Sequence, residues 1–199
     1  MFVWSALLLA VGCTGEPTRV EVPPIDPASA ATAAIKLYDK DGDGALSGAE
    51  LAAVPAIEGA KSFYDANNDG KVTSAEIQAR LQQMLGTKVG LMTFTCQVTY
   101  RGQPLSGATV TLRPEPFLSN AIQEATATTD ANGNATLAVP GNLLPAADRG
   151  IKAVRPGLYK VEITHPTQTL PAHYNTQTTL GQEIAGDSLA GKNVVYELK

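Results

Sequence analysis

The chain has 199 residues, 19 acidic against 15 basic, a formal net charge of −4 and 44% hydrophobic residues, which leaves room for one large or two small globular domains. No basic patch with interleaved aromatics occurs, so a nucleic-acid partner is not expected. The acidity is uneven: eleven acidic and six basic residues precede Lys88, whereas eight and nine make up the rest, so the negative excess belongs to the first half.

The chain opens on an apolar element. Residues 1–13, MFVWSALLLAVGC, are too short to cross a bilayer as a helix, which takes about 20 residues, but they suit the hydrophobic region of a signal peptide. The ending LLLAVGC resembles a bacterial lipobox, in which a small residue precedes a cysteine that is acylated and becomes the mature N-terminus. The resemblance implies a lipid anchor on Cys13 and an exported, membrane-anchored protein at the cell envelope, periplasmic or on the outer surface. Residues 14–25, with three prolines and little apolar content, read as a tether.

Asp26 followed by Pro27 is an N-cap with proline at the first helical position, and Ala31, Ala34, Ile35 and Tyr38 then fall on one face of a helix. Two twelve-residue stretches follow, DKDGDGALSGAE at 39–50 and DANNDGKVTSAE at 65–76. A hard dication such as calcium takes about 6 to 8 oxygen ligands, and a loop of this length supplies them from positions one, three, five, seven, nine and twelve, turning at a glycine in position six. In the first stretch these are Asp39, Asp41, Asp43, the carbonyl of Ala45, Ser47 (commonly through water) and Glu50, with Gly44 at the turn. In the second they are Asp65, Asn67, Asp69, the carbonyl of Lys71, Thr73 and Glu76, with Gly70 at the turn. A polar turn alone would favour Asp, Asn and Gly, but it would not dictate a glutamate further on. At ordinary residue frequencies one complete match arises by chance about once in 10⁵ to 10⁶ starting points. Both stretches resemble EF-hands, which implies two calcium sites.

The loops stand closer together than in the familiar EF-hand pair, with only residues 51–64 between them, so the pair resembles the compact versions of bacterial exported proteins. Pro55 should end one short helix and start the next. Leu51 with Val54, and Ile57 with Ala60 and Tyr64, supply their apolar faces. Position eight, Leu46 in one loop and Val72 in the other, is expected to face inward and pair the loops as a short strand. Beyond the second loop Ile77, Leu81, Met84 and Leu85 recur at helical spacing until Gly86. The helical pair is assigned to 26–87.

From residue 91 the period becomes alternating. Strands are expected at 91–100, 108–113, 123–129, 135–139, 158–164 and 193–198, separated by turn signals such as RGQPLSG and DANGN. Short strands at this spacing suggest an antiparallel β-sandwich of roughly seven strands over 88–199. The order of VTYRGQPLSGATVTLRPE, TATTDANGNATLAVPG, GLYKVEIT, LPAHYNTQTTLGQEI and NVVYELK resembles the carboxypeptidase regulatory-like (transthyretin-like) domain. The fold class is therefore α plus β: a small all-α EF-hand pair followed by an antiparallel, transthyretin/prealbumin-like β-sandwich that is expected to be a unit indifferent to calcium.

DANGNATLAVPG begins like a third calcium loop, but Ala135 stands at the glycine place and Gly141 at the glutamate place, so a hairpin turn is expected. Cys96 alternates inward with Phe94, Val98 and Tyr100 and reads as a small buried hydrophobe. His165 and His173 have no third ligand or nucleophile nominated beside them, and the ending YELK lacks the tetrapeptide of transthyretin-like hydrolases. The expectation is a non-enzymatic, calcium-binding envelope lipoprotein with a structural or interaction role, whose partners are calcium, the membrane through Cys13 and an unidentified envelope protein. A dockerin-like, calcium-dependent docking module is the alternative, and a hydrolase the weaker one.

Overall fold

The computed structural model describes residues 20–189 and 193–199. The signal segment, Cys13 and the start of the tether lie outside the described residues. The rest of the tether does not hang free: Pro23 and Ile25 are buried, the Glu21 carbonyl accepts from the Arg155 guanidinium at 3.0 Å, and the chain at Val20 and Glu21 runs directly over Gly90. Proline-rich composition reports backbone stiffness, not whether a neighbouring surface is there to receive the chain.

Helix α1 (Pro27–Tyr38) starts as expected, with the Asp26 carboxylate accepting from the Ser29 amide at 2.6 Å and proline at the first helical position. The first loop carries β1 (Ala45–Leu46) and leads into α2 (Gly48–Ala52). Pro55 opens α3 (Pro55–Gly59), and α4 (Lys61–Tyr64) follows after a break at Ala60. The segment between the loops is thus three short helical pieces instead of two, yet Leu51, Val54, Ile57, Ala60 and Tyr64 are all buried as their spacing predicts. The second loop carries β2 (Val72–Thr73) and runs into α5 (Ser74–Gly86). The expected pairing of the loops is present: β1 and β2 are antiparallel, with Leu46 opposite Val72.

The β part contains β3 (Phe94–Tyr100), β4 (Gln103–Pro104), β5 (Thr109–Pro114), β6 (Ala125–Thr128), β7 (Asn134–Leu137), β8 (Gly157–Thr164), β9 (Gly181–Ile184) and β10 (Val194–Leu198). One sheet is the antiparallel order β6-β5-β8-β9; in the other β3 is flanked by β10 and by β4 and β7. The strand β9 was not expected, because Gly-Gln-Glu-Ile is short, carries a buried Glu183 and has little β propensity. A second departure is that β10 runs parallel to β3, from Val194 opposite Cys96 to Leu198 opposite Tyr100. The alternation of β3 holds over Phe94, Cys96 and Val98, which are buried, whereas Tyr100 at the strand end is only partly so; Cys96 is a free thiol.

The DANGN segment is a turn, closed by the Asp130 amide donating to the Asn134 carbonyl at 2.8 Å. Its flanking strands form only a single bridge, Thr126 to Ala138, before β6 joins one sheet and β7 the other, so the turn is a link between layers. No helix among the described residues is long and apolar enough to cross a membrane.

The helical part and the β part share one hydrophobic core. Helix α3 lies against β8 and β9, and a Cβ placed on Gly181 would sit 2.1 Å from both the Ala56 nitrogen and the Pro55 carbonyl carbon. Glycine is required there because two backbones approach with no space for a side chain. The expectation of an independent β unit took no account of this contact, which no local pattern announces.

Candidate metal centre

The two loops adopt the same backbone course. Position six is left-handed in both, Gly44 at φ 85° and Gly70 at φ 88°, which only glycine adopts without strain. Position four is left-handed as well, occupied by Gly42 and by Asn68, a residue type that tolerates this region. The loop-one carboxylates of Asp39, Asp41 and Asp43 each offer an oxygen within 4.8 Å of the others. Oxygens bound to one calcium at about 2.3 to 2.6 Å lie no further apart than about twice that distance, so this cluster fits the ion.

Hydrogen bonds hold the side chains in that array. The Asp39 carboxylate accepts from the amides of Gly42 at 2.7 Å and Gly44 at 3.0 Å, Asp41 accepts from Asp43, and Asp43 accepts from Ala45. Glu50, at position twelve, reaches back so that one oxygen accepts from the Lys40 and Asp41 amides and the other from the Ser47 amide. The Lys40 amide is the foremost reason that Glu50 is held below the usual carboxylate range. Ala45 lies in β1, which fixes its backbone, and Ser47 caps α2.

Loop two repeats the pattern. Asp65 accepts from Asp69 and Gly70, Asn67 accepts from the Asp69 amide and donates to its carboxylate, and Glu76 accepts from Ala66 and Thr73. The Lys71 amide is the main cause that lowers the Asp69 carboxyl. In both loops the residue at position nine, Ser47 or Thr73, is the N-cap of the next helix, and the glutamate at position twelve is its N3 partner in a capping box. This double use of S-x-x-E and T-x-x-E is the local sequence signal that marks both helix starts.

Two lysines bring charge to the loops. Lys71 extends its ammonium across to Asp43 at 2.6 Å, which is the first cause that lowers the Asp43 carboxyl, and Lys61 donates to the Gly70 carbonyl at 2.8 Å. Lys71 was expected to serve through its carbonyl alone.

The remaining candidates separate from this centre. His165 is committed to its own loop, with one ring nitrogen against the Ser106 carbonyl at 3.0 Å and the other accepting from the Gln168 amide, while His173 lies against the Tyr174 ring at 4.0 Å. Burial pushes the Cys96 thiol up to about 12, far from a reactive thiolate.

Sequence reasoning missed a buried charged cluster just behind loop two. Arg80 in α5 is 2% exposed and Glu183 in β9 equally so. The guanidinium donates to both Glu183 oxygens at 3.1 and 2.5 Å and to both Asp187 oxygens at 2.6 and 2.9 Å, and it lies over the Phe63 ring at 4.5 Å. The position of Arg80 on the apolar stripe with Ile77, Leu81 and Met84 was the available signal: an arginine among core residues demands a buried carboxylate.

The family model described as EF hand matches residues 32–55 and 62–81, one stretch for each loop. Neither a search of curated proteins nor one of solved structures gives a significant match. The helical part therefore carries an EF-hand region, followed by a β-rich region, and its loops are of the calcium-binding kind.

Proposed function

We propose that the protein is a non-enzymatic calcium-binding protein with two sites, held at the cell envelope by a lipid on Cys13. The observation that carries the calcium assignment is the Asp39, Asp41 and Asp43 oxygen cluster in EF-hand register, with a second loop of the same backbone course paired to it. Asp39, Asp41, Asp43, the Ala45 carbonyl, Ser47 and Glu50 would hold one ion; Asp65, Asn67, Asp69, the Lys71 carbonyl, Thr73 and Glu76 would hold the other. The ion supplies the positive charge that the crowded carboxylates lack, and each loop supplies oxygens already held by its own amides.

Loop one has four carboxylates and loop two has three, so loop one binds more tightly. The Lys71–Asp43 pair opposes this order, but it is exposed and screened by solvent, so it does not reverse it. Envelope anchoring rests on the LLLAVGC ending alone, and mass spectrometry of the mature protein that showed an unmodified Cys13 would remove it. The β part has the character of a structural module of the carboxypeptidase regulatory-like kind. A docking role for the helical faces is less favoured, since α3 already packs on β8 and β9.

Titration calorimetry with calcium tests the reading. Two ions per chain are expected at dissociation constants of about 10⁻⁴ to 10⁻³ M, typical of extracellular modules. Glu50→Gln should weaken the first site and Glu76→Gln the second. No uptake at millimolar calcium would refute it.

A further inference from the structure

Each loop is entered from a buried tyrosine. Tyr38, the last residue of α1, donates its hydroxyl to Glu115 Oε2 at 3.1 Å, and its ring stands edge-on to Phe117 at 6.3 Å. Glu115 is fully buried just past β5, and its own amide is fixed to the Leu158 carbonyl at 2.9 Å. Tyr64, the last residue of α4, is 1% exposed and belongs to the shared hydrophobic core. Glu183 and Asp187 grip Arg80, four residues past the end of loop two. Loop one is thus tied to the β part at its entry, and loop two at its exit.

The helices between the loops are too short to hold this arrangement themselves. They have five, five and four residues, and isolated helices under about 12 residues are marginal in water. Repulsion among the ligand carboxylates opens the loops further when no cation is bound. A loop anchored at its ends pays less ordering entropy on binding, and that saving appears as affinity.

Building on the calcium reading, we infer that Glu115, acting through Tyr38, and the Arg80–Glu183–Asp187 cluster are positioning residues for the two loops. The affinity of each loop is set by a contact with a strand or strand end far away in sequence, and calcium stabilises that contact in return, because linkage between two equilibria is reciprocal.

Calorimetry on the full chain reads one loop at a time, loop one in a Glu76→Gln background and loop two in a Glu50→Gln background, with calcium alone as the ligand. Tyr38→Phe removes one hydroxyl and should weaken loop one about 3- to 10-fold while loop two stays within about twofold. Glu183→Gln should weaken loop two about 10-fold or more, with loop one changed less. A purely structural contact would not produce this split. Should Glu183→Gln fail to fold, Asp187→Asn, at the half-exposed edge of the cluster, gives the same sign with a smaller factor.

An independent readout is hydrogen exchange of the β9 amides in the unaltered protein, which calcium should slow. The inference is overturned if both variants keep their affinities within about twofold, or if β9 exchange is the same with calcium and with chelator. If the unaltered protein takes up no calcium at all, the calcium reading itself has failed, and the two failures are told apart by that one control.

Discussion

Substituting Gly181 by alanine tests the contact that joins the helical part to the β part. The new Cβ would lie 2.1 Å from the Ala56 nitrogen, 2.1 Å from the Pro55 carbonyl carbon and 2.5 Å from the Pro55 oxygen. All three are backbone atoms, so no side-chain rotation relieves the clash. Helix α3 must instead move away from β9 by more than an ångström, which uncovers Ala56 and Ile57, both 0% exposed. Overpacking a core site costs about 1 to 3 kcal/mol, occasionally more, and a clash with backbone belongs at the upper end. For a chain of this length each kcal/mol lowers Tm by about 2 to 4 °C, so the variant should melt roughly 6 to 12 °C lower by far-ultraviolet circular dichroism. Gly150→Ala is the matched control, since a Cβ there meets nothing within 4 Å, and its Tm should stay within about 1 °C of the parent. Equal melting temperatures for the two variants would refute the close approach of α3 and β9.

Two further outcomes are expected. Burial lifts the Glu115 carboxyl from 4.5 to about 7, against the opposing pulls of Lys160 and the Tyr38 hydroxyl. A carboxyl that holds its proton more tightly when folded contributes its full stability below about pH 4.5 and loses it as pH rises through about 7, to a limit of about 3 kcal/mol. Glu115→Gln carries no charge to bury, so its Tm should match the parent near pH 5 and exceed it by several degrees at pH 8; a constant difference across that range would contradict the assignment. The Cys96 thiol, buried and raised to about 12, should resist an aromatic disulfide reagent in the folded Cys13→Ser protein at pH 8 and react fully in denaturant, and fast labelling of the folded chain would show that β3 does not bury it.

What could be read from the sequence was whatever depends on near neighbours. The twelve-residue spacing of oxygen donors, the Asp26–Pro27 helix start, the restart at Pro55 and the inward alternation of Phe94, Cys96 and Val98 each follow from local geometry, because a loop, a cap or a strand face is complete within a dozen residues. The pairing of Leu46 with Val72 followed too, as the loops repeat one pattern.

Tertiary structure decided where the two parts meet and what is buried between them. Arg80 looks like an error on an apolar helix face until Glu183, 103 residues away, is seen beside it, and Glu115 meets Tyr38 across 77 residues. The strand β9 forms despite poor propensity because β8 pairs with it and α3 covers it, and β10 pairs with β3 in parallel, a direction that no local pattern specifies. A buried charge or a close backbone approach has a favourable free energy only when its partner is in place. Since that partner sits at no fixed spacing along the chain, the oxygen ligands can be found by counting residues, whereas the contacts that hold them in position cannot.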